Sequence, residues 1–254
     1  KLSQGAKPGK GGVLPAEKIT KEIALTRRIP MTEDCISPST HSAFNTPREL
    51  VHFWQKLRDL SGGKPVGIKL CIGQPWQFMA IVKAMIEEDN YPDFIVVDGA
   101  EGGTGAAPVE FMDSFGMPLI DGFLFVHNTL VGSGIRDKIK IGVSGKIVSA
   151  FDIAKMLALG ADWCNSARGF MFAVGCIQSR SCHTNTCPTG VATQDPYREK
   201  ALDVPSKAER VASFHKNTIK SLANFVGAVG LSHPYDLHPY HVARRMNDLS
   251  LIHI

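Results

Sequence analysis

Residues 175–190 read GCIQSRSCHTNTCPTG and put three cysteines, Cys176, Cys182 and Cys187, into one short polar loop, separated by five and then four residues. A thiolate is a soft ligand, and three thiolates from one tight loop can converge on an iron–sulfur cluster whose own iron and sulfide complete the coordination. Three ligands suggest three irons. Pro188, directly after the last cysteine, matches the Cys-Pro ending of ferredoxin runs, where proline fixes the backbone as the chain leaves the cluster. The same loop reads alternatively as a zinc site with His183 as fourth ligand, although the chain has no C-x-x-C pair, or as three unrelated thiols.

A second set of reactive side chains lies at the start. The stretch KLSQGAKPGKGGVLP sets Lys1, Gln4, Lys7 and Lys10 among glycines and prolines. Such a backbone is neither long helix nor long strand, and it can lie flat against a ligand while the polar side chains reach inward; a surface turn is the plainer reading. Arg27 follows on a short helical pattern over residues 20–28, before Pro30. Lys69 sits inside the apolar run 66–71, where strand alternation points it away from Ile68 and Leu70. Gly102, Gly103, Thr104 and Gly105 follow the apolar run 94–97; Ser144, Gly145 and Lys146 follow the run 140–143; Ala167, Arg168 and Gly169 follow a last short strand that starts near Asp162.

The elements that must position these residues alternate between buried strands and amphipathic helices. Thr46 and Glu49 make a capping-box pattern, with Pro47 in the first turn and Leu50, Phe53, Trp54 and Leu57 on one face. Helices are predicted over 76–88, 119–132 and 150–159, between the strands, and one or two more over 206–229, with Val211, Phe214, Ile219, Leu222, Phe225 and Val226 as an apolar stripe. The repeat is that of parallel βαβ units, with glycines after the strands. In a (β/α)8 TIM barrel the site gathers at the carboxyl ends of the strands, and the last two loops commonly hold phosphate. No G-x-G-x-x-G occurs to favour a doubly wound sheet, so a partial TIM barrel is the predicted α/β fold. The histidine-rich run 233–241 reads as a structured tail, and residues 249–254 have no evident role.

Composition bounds the rest. The chain has 254 residues, 44% hydrophobic and 20% charged, with a formal net charge of +4, as expected of a globular protein with one large core. Its basic residues form no run that speaks for nucleic acid, and no stretch approaches the ~20 apolar residues of a membrane span. Six cysteines, without a disulfide pattern, suit a reducing compartment, and a cytoplasmic location is expected.

With these elements in place, the chain resembles the FMN-binding synthase domain of glutamate synthases, over residues 1–194 and with family-like helices beyond. The resemblance is carried by KLSQGAKPG, Ile36-Ser-Pro, VGIKL with Lys69, GGTGAAP at 102–108, LVGSGIRD before the strand at 139, the cysteine loop, and the TGVATQ that follows it. It implies a (β/α)8 barrel carrying FMN and a 3Fe-4S cluster, with Cys176, Cys182 and Cys187 on the cluster. The loops at Ser144, Gly145, Lys146 and at Ala167, Arg168, Gly169 would hold the FMN phosphate, with Gly102, Gly103, Thr104 and Gly105 near the flavin. Lys1, Gln4, Lys7 and Arg27 would line the pocket for flavin and 2-oxoglutarate, Lys7 lying between flavin and cluster. A dianionic substrate needs such cations, and Lys69 would face the negative charge of reduced flavin.

The resemblance also implies the reaction: reductive amination of 2-oxoglutarate with ammonia, or with glutamine-derived ammonia from a separate glutaminase, to L-glutamate. Electrons would come from ferredoxin or an NADPH-linked flavoprotein subunit. A related FMN and iron–sulfur enzyme for another 2-oxo acid or N-methylglutamate, and a non-catalytic electron-transfer or scaffold subunit, are the alternatives. The chain departs from the family at Val13, commonly Gln, at Ser144, commonly Asp, and at His41-Ser42, often a histidine pair. The expected organisation is a partial barrel over 1–175, with the first three strands lacking and five present, an iron–sulfur loop over 176–194, and a helical extension of the same domain over 195–254.

Overall fold

The computed structural model describes residues 1–7, 11–102, 107–108, 110–247 and 250–253. A short antiparallel pair, β1 (Val13–Leu14) with β2 (Cys35–Ile36), flanks helix α1 (Lys21–Arg27). Helices α2 (Pro47–Leu60), α3 (Pro75–Glu87), α4 (Leu119–Gly132) and α5 (Ala150–Ala158) alternate with strands β3 (Gly67–Leu70), β4 (Phe94–Asp98), β5 (Lys140–Ser144) and β6 (Trp163–Asn165). The chain continues through α6 (Arg168–Val174), the cysteine loop, α7 (Pro196–Glu199) and α8 (Val204–Ala228), and ends in the antiparallel pair β7 (Ala243–Asn247) and β8 (Ser250–His253).

Strands β3 to β6 form one parallel sheet in sequence order. Its outer face carries Ile68, Leu70, Ile95, Val97, Ile141 and Val143, all buried against Trp54, Phe78, Met85, Phe123 and Val126 of the covering helices. Burying an aliphatic or aromatic side chain of this size contributes about 1.5–3 kcal/mol, so this face holds the sheet to its helices.

The inner face is packed in a layer of rings against glycines. The rings of Phe94 on β4 and Trp163 on β6 meet edge to face, with centroids 5.8 Å apart. A Cβ on Gly67 of β3 would stand 2.3 Å from the Phe94 ring, and one on Gly142 of β5 would stand 2.3 Å from the Trp163 indole. Large side chains from alternate strands, with glycine on the strands between, are the layer packing of a barrel interior. Consecutive parallel order and this layer together are those of part of a (β/α)8 barrel. Of the five strands expected, four are in the parallel sheet among the described residues. No fifth strand joins it among the described residues; beside β3 the Leu2 and Ser3 amides both donate to the one Lys69 carbonyl, at 2.8 Å and 3.4 Å, which makes no ladder.

Local signals act as expected. Thr46 Oγ1 accepts the Glu49 amide at 3.2 Å, while the Glu49 carboxylate reaches back to the Asn45 amide at 2.6 Å rather than to that of Thr46. Leu57 is more exposed than its place in the pattern predicts, as is Ile219 on α8, because α2 and α8 each bury a narrower stripe, around Trp54 and around Leu222 and Val226. Helix α8 is single and packs on α5, joined by Leu237 from the histidine-rich run and by Val242 just after it. The predicted helical extension thus ends in a β pair.

At the amino ends of β5 and β6, Asp162 accepts the Ile141 amide at 2.7 Å, Arg136 at 2.8 Å and Lys140 at 3.1 Å. Burial alone would raise its pKa, but these three donors together lower it. A carboxyl depressed in the folded state stabilises the fold above its unfolded value, about 3.9, and loses that contribution as pH falls through the folded value. Urea midpoints of wild type and Asp162→Asn should therefore be well separated at neutral pH and converge below about pH 4. A gap that holds constant across that range would mean that the carboxylate charge contributes nothing.

Candidate active site

The inner face ends in polar groups at the carboxyl ends of the strands: Lys69, Asp98, Ser144 and Asn165. Asp98 is 6% exposed. Its Oδ1 pairs with Lys69 Nζ at 2.9 Å, and its Oδ2 accepts the Gly5 amide at 2.8 Å. A buried carboxylate is tolerable only when paired and hydrogen-bonded, and here both oxygens are used. Asp98 thus ties strand β4 to Lys69 on one side and to the first loop of the chain on the other.

That first loop lies directly on the strand ends. A Cβ on Gly5 would fall 1.6 Å from the Gly99 carbonyl oxygen, so only glycine permits the approach. Ser3 Oγ accepts the Cys71 amide at 2.8 Å. Two residues beyond Gly5, Lys7 is 4% exposed. Its ammonium lies by Gly12 and Ser37, where a Cβ on Gly12 would be 3.5 Å from Nζ and 3.7 Å from Ser37 Oγ. Gln4 is partly buried and its carbonyl accepts the Lys7 amide at 3.2 Å. Lys1 is exposed at the rim of a 780 Å³ cavity shared with Ser37, Thr40, Trp76 and Gln77. Arg27 is exposed in the last turn of α1, with no hydrogen bond or ion pair to these residues among those described.

The two loops after β5 and β6 meet, tied by Ser166 Oγ donating to the Ile147 carbonyl at 2.7 Å. Lys146 has a left-handed backbone (φ 46°) and turns to Asp113 at 2.8 Å. Gly145 packs under α4, a Cβ there standing 3.1 Å from that of Leu119. Ala167 and Arg168 open α6. Gly169 has a packing reason: its Cβ would meet the Phe214 ring of α8 at 2.8 Å. Gly102 lies over Ala6, 3.2 Å from a Cβ built on it, whereas Gly103, Thr104 and Gly105 fall outside the described residues.

Among the described residues the three loop cysteines form no disulfide, and no group of three His, Cys, Asp or Glu side chains stands close enough to hold a metal ion. Cys187 has hydrogen-bond donors around its sulfur. Burial pushes its thiol up, but the Thr189 hydroxyl at 3.5 Å and the amides of Ala192, Thr189 and Val191 together bring it below the usual value. Donors of this kind also surround the cysteine sulfurs of iron–sulfur sites.

Sequence reading missed Asp98 as a site residue. Its signal was a carboxylate closing the otherwise apolar strand 94–98.

Residues 1–232 match the family described as a conserved region in glutamate synthase. The glutamate synthase large subunit-like protein YerD of Bacillus subtilis (strain 168) is 42% identical over 254 residues, which is 100% of this chain and 48% of that protein. The archaeal glutamate synthase (NADPH) of Methanocaldococcus jannaschii is 37% identical over 233 residues, 91% of this chain and 45% of that one. This chain spans about half the length of these curated relatives. The recombinant flavin-binding domain of baker's yeast flavocytochrome b2 aligns over 86% of this chain and 41% of that one, with a TM-score of 0.46 and 14% identity, too distant a likeness to bear on fold or chemistry. With the family match running unbroken from the loop over the strand ends through the cysteine loop into α8, the chain belongs to the glutamate synthase family.

Proposed function

We propose that this chain is the later part of the FMN-binding barrel of a glutamate synthase, and that the whole protein aminates 2-oxoglutarate reductively to L-glutamate. The observation that carries this reading is the docking of the first loop over the strand ends: Gly5 binds at 2.8 Å the carboxylate that also pairs with Lys69, two residues before the buried Lys7. A loop so placed excludes water from the strand ends, and a lysine held out of solvent attracts an anion more strongly than it would in water.

The strand-end residues fit the flavin that the family implies, and the loop carries three thiols of the kind a cluster takes, although their side chains are not gathered at one point. Lys69 faces the barrel interior with Asp98 fixing its position, as a cation meeting the negative charge of a flavin must be fixed. Ser144, Gly145, Lys146, Ala167, Arg168 and Gly169 are proposed to hold the FMN phosphate, on two loops already tied together, with Gly102 to the side. Cys176, Cys182 and Cys187 are proposed as ligands of a 3Fe-4S cluster, with Cys187 already set among donors. Bound there, FMN supplies hydride transfer and the cluster one-electron transfer. Lys1, Gln4 and Lys7 are proposed to receive 2-oxoglutarate, lysines serving as compact charges for its two carboxylates. Arg27 joins them only if α1 turns inward. The division into barrel (1–175), iron–sulfur loop (176–194) and helical extension (195–254) belongs to the same proposal, as does ammonia from solution or a separate glutaminase. Electrons would come from ferredoxin or an NADPH-linked flavoprotein.

The test is Cys182→Ser in the full-length protein. Glutamate formation driven by an external electron donor should be abolished, while enzyme reduced chemically continues to turn over. Equal loss of both would overturn the proposed division between cluster and flavin.

A further inference from the structure

The amino-terminal segment touches the cysteine loop as well as the strand ends. Lys18, last residue of the 3-10 turn Ala16–Lys18, donates from Nζ to the Cys182 carbonyl at 2.5 Å and to the Ala192 carbonyl at 2.9 Å. Beside it, Asn185 Nδ2 donates to the Glu17 carbonyl at 3.3 Å, and Asn185 Oδ1 accepts the Gln194 amide at 2.7 Å. The turn is a fixed base for this contact. The Ala16 amide donates to Asp34 at 2.8 Å, Ile19 is buried, and Thr20 caps α1 by accepting the Ile23 amide at 3.3 Å.

Residues 182 and 192 bracket Cys187 and the amides of Thr189, Val191 and Ala192 around its sulfur. One ammonium bonded to both carbonyls closes this part of the loop into a ring. The position of Cys182 is thereby set relative to the surroundings of Cys187. The loop needs such a tie, because Gln178, Arg180 and Asn185 hold left-handed backbone (φ 57°, 58° and 60°), which non-glycine residues keep only where the surrounding structure imposes it. Three donors on one atom make lysine suited to joining two carbonyls.

We propose that Lys18 is a positioning residue for the cysteine loop: it staples Cys182 to the cradle of Cys187 and sets a positive charge beside them. The inference rests on the reading of these cysteines as cluster ligands. A cation at this place favours the more negative, reduced state of a nearby redox centre and so raises its potential.

The test uses the full-length protein as wild type, Lys18→Met and Lys18→Arg. In iron-free protein at one pH, iodoacetamide labelling is followed at each cysteine by mass spectrometry. Cys164, half-buried on β6 and with its thiol pushed up to about 12 by desolvation, reports global opening. Loss of two charge-assisted hydrogen bonds should speed labelling of Cys182 in Lys18→Met by about tenfold or more. Cys164 should be unchanged, and Lys18→Arg should stay near wild type. An unchanged Cys182 rate, or a Cys164 rate rising in step with it, overturns the staple. In iron-loaded protein the cluster potential should fall in Lys18→Met and recover in Lys18→Arg; equal potentials in all three overturn the charge effect. A wild type that takes up no iron removes the cluster reading instead, while the labelling still decides whether Lys18 holds the loop.

Discussion

Asp98→Ala is expected to destabilise the protein by about 3–5 kcal/mol, the range for breaking a buried ion pair from one side. The replacement leaves the Lys69 ammonium, on a side chain 30% exposed, without its partner at 2.9 Å, and the buried Gly5 amide without its acceptor at 2.8 Å. The check is the urea midpoint, read together with its slope so that a change in the unfolded state is not mistaken for lost stability. Lys69→Met combined with Asp98→Ala should recover part of the loss, since the stranded charge is gone; the Gly5 amide remains unsatisfied and keeps the recovery incomplete. A loss below about 1 kcal/mol, as at an exposed pair, would show that the strand-end pair is solvated and does not organise the site.

Gly5→Ala should strike function harder than stability. The new Cβ would lie 1.6 Å from the Gly99 oxygen and 2.3 Å from its carbon, and both are backbone atoms of a strand end that cannot turn aside. The first loop must lift, which costs about 1–3 kcal/mol as an overpacked contact does. Lifting also moves Gln4 and Lys7, the loop residues on either side of Gly5, and a displacement of about 1 Å in positioning groups can lower turnover by about 100-fold. Gly132→Ala, at the end of α4, is the matching control, because a Cβ there would meet nothing within 4 Å. Steady-state amination rates of the full-length variants would decide it. Comparable activity in the two variants would mean that the loop is not part of the site.

Much of the fold could be read locally. The helix over 119–132 and the placing of Lys69 opposite Ile68 and Leu70 follow from periodicity, because a helix or strand repeats its buried face every few residues. Leu57 and Ile219 show where that reasoning overreaches: periodicity marks the face that could be buried, and the width of the neighbour decides how much of it is. In the candidate site, the sequence brought out the lysines, the glycine loops and the three cysteines. It left Asp98 and Lys18 unmarked.

By itself, then, the sequence determined the alternation of strands and helices, the faces of the strands, and through its ordered motifs the family. Only the tertiary structure decided that Asp98 binds the amide of Gly5, 93 residues away, and that Lys18 reaches the carbonyl of Cys182 across 164. It also decided that Gly67 and Gly142 make room for the rings of Phe94 and Trp163. The physical reason is range. Backbone geometry imposes its period within a few residues and is written along the chain, whereas an ion pair, a carbonyl contact or a ring against a glycine depends on which strand ends and loops the closed packing brings together.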